Sequence, residues 1–197
     1  MASQCSRRAI LALLRATRFR PAENPASIAP MTTLIVFGGL PGAGKTAIAQ
    51  ELACELGAVY LRIDSLEQAI RASGILDKPL EDEGYRIAYA LAEENLRRGR
   101  TVVADCVNPL QITRDAWVSV ADRSRAKAVE VEVICSDPKQ HQQRVENRVA
   151  DIFGHRLPTW DEVISREYAP WRREHIVIDT AHHTVSDNVN ELLRLLR

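Results

Sequence analysis

Short apolar runs alternate along the chain with longer segments in which apolar residues recur every three or four positions. The runs cover residues 33–38, 58–63, 101–106, 127–135 and 175–180, and their length and their Val and Ile content predict five strands. The first run is apolar throughout, which is typical of a strand buried on both faces of a parallel sheet. Strands that alternate with helices predict a three-layer α/β domain with helices on both faces of the sheet.

Several helix boundaries are marked by a polar residue followed by proline. Asn108 and Asp137 each precede a proline, which predicts an N-cap residue with proline in the first helical turn; a ligand role is the alternative for Asn108. The helix after Asp137 is expected to continue to about residue 149. Further helices are predicted over 66–74 and 83–99, a short one starts at 159–162, and an apolar repeat over 185–196 predicts a closing helix.

Composition and charge are those of an ordinary globular protein and argue weakly against a polyanionic partner. The chain has 197 residues, 46% of them hydrophobic and 26% charged, which is enough for one domain with a full core. Five of the 26 basic residues but one of the 26 acidic residues lie in 1–30, so residues 31–197 carry a net charge of −4. No apolar run approaches the roughly 18 residues that span a bilayer, so we expect no membrane association.

Residues 1–30 differ in character from the rest of the chain, because they are rich in arginine and contain a single acid, Glu23. Two interpretations stay open: an extension upstream of a true start at Met31, or a targeting peptide of the mitochondrial kind. In either case we exclude residues 1–30 from the fold, expect them to be poorly ordered, and assign 31–197 to one domain. The four cysteines form no CxxC pair and are expected to be scattered buried thiols. We therefore expect a cytoplasmic protein, with organellar targeting as the alternative.

The strongest chemical signal is a glycine-rich loop between the first predicted strand and the following helix. Residues 39–46 read GLPGAGKT and match the GxxxxGK[ST] pattern of a phosphate-binding loop. In this pattern backbone N–H groups surround the phosphates, the lysine reaches the β- and γ-phosphates, and the hydroxyl residue binds Mg²⁺. We therefore expect ATP and Mg²⁺ as cofactors, Lys45 as a catalytic cation and Thr46 as a metal ligand. The expected nucleotide-binding residues in this loop are Gly39, Leu40, Pro41, Gly42, Ala43, Gly44, Lys45, Thr46 and Ala47.

Two aspartates follow neighbouring predicted strands. Asp105 ends the third strand and is expected to fix Mg²⁺, with a turn-forming role as the alternative. Asp64 ends the second strand and is expected to accept the proton of an attacking hydroxyl or to anchor the acceptor. An N-cap role paired with Glu67 is the alternative for Asp64, although residues 65 and 68 offer the same capping spacing. Arg62 and Arg71 flank Asp64 and are open between a clamp for an anionic acceptor and a solvated surface.

Arginines gather after the fourth predicted strand. Arg144 and Arg148 are four residues apart and are expected to share one face of a helix, where Arg144 would stack on the nucleotide base. A mobile lid is predicted over about residues 150–158, with a solvated helix face as the alternative interpretation of the arginine pair. Arg148 or Arg156 would then stabilise charge on the transferring phosphoryl group.

These motifs together resemble the small P-loop kinases of the adenylate-kinase-like group, often described as predicted kinases or AAA-type ATP-binding domains. The GLPGAGKT loop, the strand end at Asp64, VVADCVNP (102–109) and RVENR (144–148) occur in the order seen in three relatives. These are the gluconate kinases, chloramphenicol phosphotransferase and the kinase half of phage polynucleotide kinase. The resemblance spans residues 31–197 and implies a five-stranded parallel sheet in the order 2-3-1-4-5 with a hinged lid. The segment FGHRLP (153–158) matches the lid of gluconate kinases only in part, so gluconate is not carried over as the substrate.

The expected function is an ATP- and Mg²⁺-dependent phosphotransferase that acts on a hydroxyl group of a small-molecule acceptor, as a monomer or homodimer. Two alternatives stay open: a kinase for 5′-hydroxyl ends of nucleic acid, and a nucleotide-binding regulator or weak ATPase without an acceptor. An oligomeric motor normally needs an acidic pair after the third strand, where Asp105 is followed here by Cys106. A GTPase needs an Asn-Lys-x-Asp base reader, which the sequence lacks.

Overall fold

One parallel sheet organises the chain. The computed structural model describes residues 32–197, so the extension and the start expected at residues 1–31 lie outside this range. Its five strands lie in the order β2-β3-β1-β4-β5, which confirms the order implied by the resemblance. Each strand falls within the apolar run that predicts it. The strands are β1 (Thr33–Gly38), β2 (Val59–Arg62), β3 (Val102–Asp105), β4 (Lys127–Ile134) and β5 (Ile176–Asp179).

Seven helices connect and flank these strands within residues 32–197. They are α1 (Lys45–Leu56), α2 (Ile63–Ser73), α3 (Glu83–Arg97), α4 (Gln111–Ser124), α5 (Pro138–Glu146), α6 (Trp160–Ile164) and α7 (Val185–Leu195). Asp137 caps α5 as predicted, because its carboxylate accepts hydrogen bonds from the N–H groups of Lys139 and Gln140. Helix α5 ends at Glu146 rather than near residue 149, and residues 147–159 form no helix before α6 begins.

The core lies in two layers, one on each face of the sheet. Ile35 and Phe37 of β1 point to one face and join the apolar stripes of α1 and α7. Leu34 and Val36 point to the other face and join α3 and α4, where Trp117 is fully buried. Alternate side chains of one strand therefore pack on opposite layers, as expected for a sheet that is buried on both faces. This confirms the predicted three-layer α/β fold.

The register of the sheet brings three strand ends together. Asp105 at the end of β3 lies opposite Phe37 of β1 on one side and Arg62 of β2 on the other. Both neighbouring strands are parallel to β3, so the loops that follow all three leave from the same edge of the sheet. Open α/β sheets bind their ligands at this edge, which places the candidate site.

The prediction that Asn108 caps a helix is wrong. Helix α4 begins at Gln111, and the residue before it, Leu110, is extended. Asn108 adopts a left-handed conformation with φ of 49° and is fully buried, and its side-chain oxygen accepts a hydrogen bond from the hydroxyl of Thr113. Asparagine tolerates this conformation better than most residues, so the chain uses Asn108 to turn after β3 rather than to cap α4.

The two capping patterns predicted around Asp64 are also absent. The chain passes from β2 directly into α2, and the N-cap position is Arg62, whose side chain makes no capping hydrogen bond. Asp64 therefore lies in the first turn of α2, two residues beyond the end of the strand. A carboxylate in a first helical turn interacts favourably with the helix dipole without acting as a cap.

Two further expectations concern solvent and membranes. No helix within residues 32–197 combines the length and the apolar character that a membrane span requires. Of the cysteines in this range, Cys106 is buried, Cys135 is half-buried and Cys54 is exposed. The expectation of uniformly buried thiols is therefore wrong at Cys54, and Cys5 lies outside the described residues.

Candidate active site

The glycine-rich loop joins β1 to α1 and needs glycine for steric reasons at two positions. Gly39 has φ of +134°, and a Cβ atom there would overlap the carbonyl oxygen of Val133 on the neighbouring strand β4. Gly42 has φ of +82°, and a Cβ atom there would overlap the side chain of Val145 in α5. Backbone atoms cannot move aside as a flexible side chain can, so the close approach at Gly39 excludes any other residue.

Lys45 is the first residue of α1, and its side chain is largely buried with 7% of its surface exposed. Its ammonium group donates a hydrogen bond of 2.9 Å to the carbonyl oxygen of Leu40 in the same loop. Burial lowers the pKa of Lys45, and the nearby carboxylates Asp105 and Asp64 offset part of this effect. A buried ammonium group with incomplete compensation is stabilised by an anion, which is what a nucleotide phosphate supplies.

Asp105 is the most constrained carboxylate near the loop. It is 3% exposed and accepts a hydrogen bond of 2.8 Å from the phenol of Tyr60 on β2. The Nε atom of Arg62 lies 4.0 Å from the same carboxylate. Burial, and next the charge of Asp105, raise the pKa of Tyr60, so the phenol keeps its proton and remains a donor. The sequence does not predict a role for Tyr60, because no local motif connects a tyrosine in the second strand with Asp105, 45 positions away.

Asp64 faces the same region from α2. Its carboxylate lies 3.9 Å from Nη2 of Arg62 and 4.0 Å from Nε2 of His155, and its side chain is 35% exposed. Asp64 therefore has two nitrogen neighbours at ion-pair range but accepts no short side-chain hydrogen bond within residues 32–197. It is accessible to a ligand, whereas Asp105 is enclosed.

Arg62 connects these carboxylates to the segment 147–159. The Arg62 guanidinium is buried and donates two hydrogen bonds to the carboxylate of Asp151, one of them from Nη2 at 3.0 Å. This fork lowers the pKa of Asp151 to about 2. Since Arg62 is buried among protein carboxylates, neither a solvated surface nor a free clamp for an acceptor describes it.

The prediction that Arg144 and Arg148 share one helix face is wrong, because α5 ends between them at Glu146. Arg144 points toward the loop after β5, where its guanidinium donates to the hydroxyl of Thr180 at 2.6 Å and to its carbonyl oxygen at 2.9 Å. Arg148 lies beyond the helix, 3.9 Å from Asp151. The two arginines therefore contact different segments of the chain.

Helix α5 is fastened to the phosphate-binding loop by two contacts that the sequence does not reveal. The imidazole of His141 lies 2.8 Å from the carbonyl oxygen of Pro41. The second contact is indirect: Arg144 of α5 donates to the hydroxyl of Thr180, and that hydroxyl donates a hydrogen bond of 2.8 Å to the carbonyl oxygen of Ala43 in the loop. Through these contacts the position of Arg144 is tied to the position of the loop.

A cleft of about 1020 Å³ brings together the predicted catalytic and metal-binding residues, which are Lys45, Thr46, Asp64, Asp105, Arg148 and Arg156. Of the predicted nucleotide-binding residues, Pro41, Lys45 and Thr46 line it, and the others do not: Gly39, Leu40, Gly42, Ala43, Gly44, Ala47 and Arg144. Arg156 is exposed at the rim and donates a hydrogen bond of 2.6 Å to Glu162. The rest of the cleft extends past the loop between α2, α3 and α4 and leaves room for a second ligand.

The residues at the loop suit a magnesium ion that arrives with a nucleotide. Within residues 32–197 no group of three or more His, Cys, Asp or Glu side chains is arranged to hold a metal ion. Mg²⁺ prefers oxygen and is usually held by one or two carboxylates with substrate phosphates and water. The hydroxyl of Thr46 and the carboxylate of Asp105 line the same cleft and supply that kind of donor set.

Comparison with protein families and sequences gives one match. A family model described as AAA domain matches residues 34–166 of the chain. No protein with curated functional information matches the sequence significantly.

Three solved structures are similar over almost their whole length. The APS kinase CysC of Mycobacterium tuberculosis, in complex with AMPPNP and APS, has a TM-score of 0.64 and 18% identity, covering 85% of this chain and 98% of that chain. A gluconokinase from Sinorhizobium meliloti 1021 has a TM-score of 0.56 and 22% identity, covering 85% and 94%. Kti12 of Chaetomium thermophilum, in complex with ADP-AlF3, has a TM-score of 0.62 and 19% identity, covering 83% and 99%. At these identities the similarity shows the fold alone, which is that of the P-loop nucleoside triphosphatases.

Proposed function

The chain belongs to the AAA domain family, and from this premise and the geometry of the cleft we propose that it transfers the γ-phosphate of ATP to a hydroxyl group of a small molecule. The observation that carries the proposal is the cleft itself, in which Lys45, Asp64 and Asp105 face one space that continues beyond the phosphate-binding loop. A protein that only binds or hydrolyses ATP needs no such second compartment. The solved structures named for APS and gluconate kinase activity support the same class of reaction.

In this proposal residues 39–47 bind the phosphates of ATP. The backbone N–H groups of the loop and the N-terminus of α1 bind the phosphates, and Lys45 exchanges the carbonyl oxygen of Leu40 for the β- and γ-phosphates. Arg144 contacts the base, and its fork to Thr180 holds the plane of the guanidinium for stacking.

Thr46 and Asp105 would hold Mg²⁺, which when bound neutralises charge on the phosphates. Tyr60 and Arg62 orient Asp105 by the contacts described above, so its carboxylate cannot rotate freely. The metal site is therefore prepared by β2 as well as by the loop.

Asp64 is the proposed catalytic base. The acceptor hydroxyl oxygen forms a bond to the γ-phosphorus while the bond from that phosphorus to the β–γ bridging oxygen breaks, and ADP departs. The hydroxyl proton passes to the carboxylate of Asp64. Arg148, and Arg156 after movement of the rim, stabilise the charge on the transferring phosphoryl group.

The proposal includes a domain plan. Residues 31–197 form the catalytic domain, and residues about 150–158 close over the cleft as a lid. Asp151 supports this assignment through its fork to Arg62, and His155 through its position 4.0 Å from Asp64. Exclusion of water by this segment would favour transfer over hydrolysis. A cytoplasmic location and a monomeric or homodimeric state belong to the same proposal.

The test is transfer of labelled phosphate from ATP to a panel of hydroxyl compounds, with 5′-hydroxyl oligonucleotides included. We expect a labelled small molecule with the wild type and none with Lys45→Ala. Asp64→Asn should keep nearly normal ATP binding but reduce transfer by about 10²-fold or more, which is typical of the loss of a general base. Equal loss of binding and transfer in Asp64→Asn would assign Asp64 a structural role, and ATP binding without any labelled product would refute the proposed function.

A further inference from the structure

We propose that the acceptor is an uncharged alcohol with an apolar or aromatic face, which lies on a wall formed by α3, the loop after β3 and the start of α4. This inference rests on the proposed function and specifies the substrate class of the same cleft. It follows from two features of the part of the cleft beyond the phosphate-binding loop: an apolar wall, and the pairing of most of its arginines.

The apolar wall is formed by Tyr85, Tyr89, Leu110 and Ile112, which all line the cleft. Tyr89 is held in place because its hydroxyl donates to the carbonyl oxygen of Thr113 at 3.3 Å and its ring packs edge-on against Trp117 with a centroid distance of 4.6 Å. The wall is therefore a fixed surface that presents aromatic and aliphatic atoms to a ligand.

Ile112 extends this wall to the mouth of the cleft. It is the second residue of α4, and 74% of its surface is exposed although its side chain lines the cleft. An apolar ligand that covers Ile112 removes this surface from water, which favours binding by the hydrophobic effect. A sugar acid or a polyol offers no comparable apolar face to these side chains.

The charges around this compartment do not favour an anionic acceptor. Arg71 is paired with Glu67 at 3.1 Å, and Arg156 is paired with Glu162 at 2.6 Å. Asp82 adds an exposed negative charge on the side of α3, with no ion-pair partner within residues 32–197.

Arg148 and Arg166 are the arginines of the cleft that would favour an anionic acceptor, and they differ in position. Arg148 is 3.9 Å from Asp151 and is assigned above to the phosphoryl group. Arg166 lines the cleft on the side of α6 and has no ion-pair partner within residues 32–197. It is the cation that an anionic acceptor would use, so substitution of Arg166 distinguishes the two classes of acceptor.

The first experiment compares acceptors at fixed ATP and Mg²⁺. The panel consists of 2-phenylethanol and thymidine as neutral aromatic alcohols, sorbitol as a neutral polyol, and gluconate, which differs from sorbitol mainly by its carboxylate. We expect kcat/KM for the better aromatic alcohol to exceed the values for sorbitol and gluconate by about tenfold or more, because one apolar group in a pocket is worth this much. Gluconate or sorbitol as the best acceptor would overturn the inference while leaving the phosphotransferase in place.

The second experiment tests the wall with a matched pair of variants. Ile112→Asp places a charge on the wall, and Ile75→Asp places one at a residue with 79% exposure that does not line the cleft. We expect Ile112→Asp to raise KM for the aromatic alcohol about tenfold or more with little change in KM for ATP, and Ile75→Asp to leave both unchanged. Equal effects of the two variants would contradict the inference. So would a loss of acceptor binding in Arg166→Gln that exceeds the loss in Ile112→Asp.

A binding measurement separates this inference from the proposed function. Saturation-transfer NMR of 2-phenylethanol with the wild type and AMPPNP should give a signal that Ile112→Asp reduces and Ile75→Asp retains. Absence of a signal with the wild type refutes the apolar site even if another compound is phosphorylated. A signal without phosphorylation of any compound upholds the site and refutes the transfer reaction.

Discussion

Replacement of Tyr60 by phenylalanine tests whether β2 prepares the carboxylate of Asp105. The change removes one oxygen atom and leaves the ring, which packs against the core layer that includes β1 and α1. It deletes the 2.8 Å hydrogen bond from the phenol to Asp105, a carboxylate with 3% exposure. The perturbation is therefore confined to one donor and creates no large cavity.

The magnitude follows from the charge and burial of the acceptor. A hydrogen bond to a charged group contributes about 1.5–3 kcal/mol, and Asp105 is too enclosed for water to replace the donor fully. We expect the free energy of unfolding of Tyr60→Phe to fall by about 2 kcal/mol. For a domain of this size that corresponds to a decrease in Tm of about 4–8 °C. The affinity for Mg²⁺ in the presence of ATP should fall about tenfold or more, as is usual when a residue that orients a metal ligand is lost.

Urea unfolding at pH 7 measures the stability, and calorimetric titration of ATP at several Mg²⁺ concentrations measures the metal dependence without any acceptor. Tyr89→Phe is the matched control, because its hydroxyl donates at 3.3 Å to a neutral carbonyl oxygen. We expect the free energy of unfolding of Tyr89→Phe to fall by about 1 kcal/mol or less. Its ATP binding should depend on the Mg²⁺ concentration as in the wild type. The reasoning is refuted if the two variants lose equal stability and if Tyr60→Phe binds Mg²⁺ and ATP normally.

Three further predictions concern the phosphate-binding loop and Asp151. Burial lowers the pKa of Lys45, and a bound phosphate would oppose that effect, so ATP binding should take up protons at pH values above the lowered pKa. Calorimetry in two buffers over a series of alkaline pH values should detect this uptake in the wild type but not in Lys45→Ala, and equal uptake in both would contradict it. Asp151→Asn should lower the free energy of unfolding by about 1 kcal/mol or less, because Asp151 is half-exposed and solvent screens its ion pair. The folded-state pKa of Asp151, about 2, lies below the ordinary carboxyl value of 3.8. The difference in free energy of unfolding between Asp151→Asn and the wild type should therefore stay constant from about pH 5 to 9 and vanish as the pH falls through 2. If urea unfolding shows this difference changing near neutral pH, the Arg62–Asp151 pair is not its source. Gly39→Ala should lower the free energy of unfolding by about 3 kcal/mol or more, because its Cβ atom would overlap a backbone carbonyl oxygen. Gly57→Ala is the control: Gly57 has φ of +58° but open space around it, so this change should cost about 1–2 kcal/mol. Similar decreases in Tm for the two variants would disprove the steric argument.

Local sequence patterns were sufficient for the strands and for the phosphate-binding loop. The apolar run at 33–38 and the GLPGAGKT loop at 39–46 are contiguous, so spacing alone predicts a strand, a turn and a helix start. The approximate positions of Asp64 and Asp105 were also predictable, because the carboxyl ends of parallel strands meet at one edge of a sheet. The family resemblance added the strand order, which periodicity does not contain.

Other features depend on contacts between residues that are far apart in sequence. Asp105 receives its hydrogen bond from Tyr60, 45 positions away, and Arg62 meets Asp151 across 89 positions. Strand order and the path of residues 147–159 set these pairings, and neither leaves a periodic mark in the sequence. The same holds for Asn108, where the need to turn after β3 prevails over the local capping pattern.

The phosphate-binding end of the site is thus encoded locally, whereas its acceptor end is assembled by the fold. A glycine-rich loop makes its own ligand groups from adjacent backbone N–H groups, so a short motif is enough to identify it. The wall of Tyr85, Tyr89, Leu110 and Ile112 comes from two helices and a loop that become neighbours only when α3 and α4 pack on the same face of the sheet. For that reason the sequence alone identifies the phosphate-binding loop, whereas only the packing of the helices shows the apolar wall on which we propose that the acceptor binds.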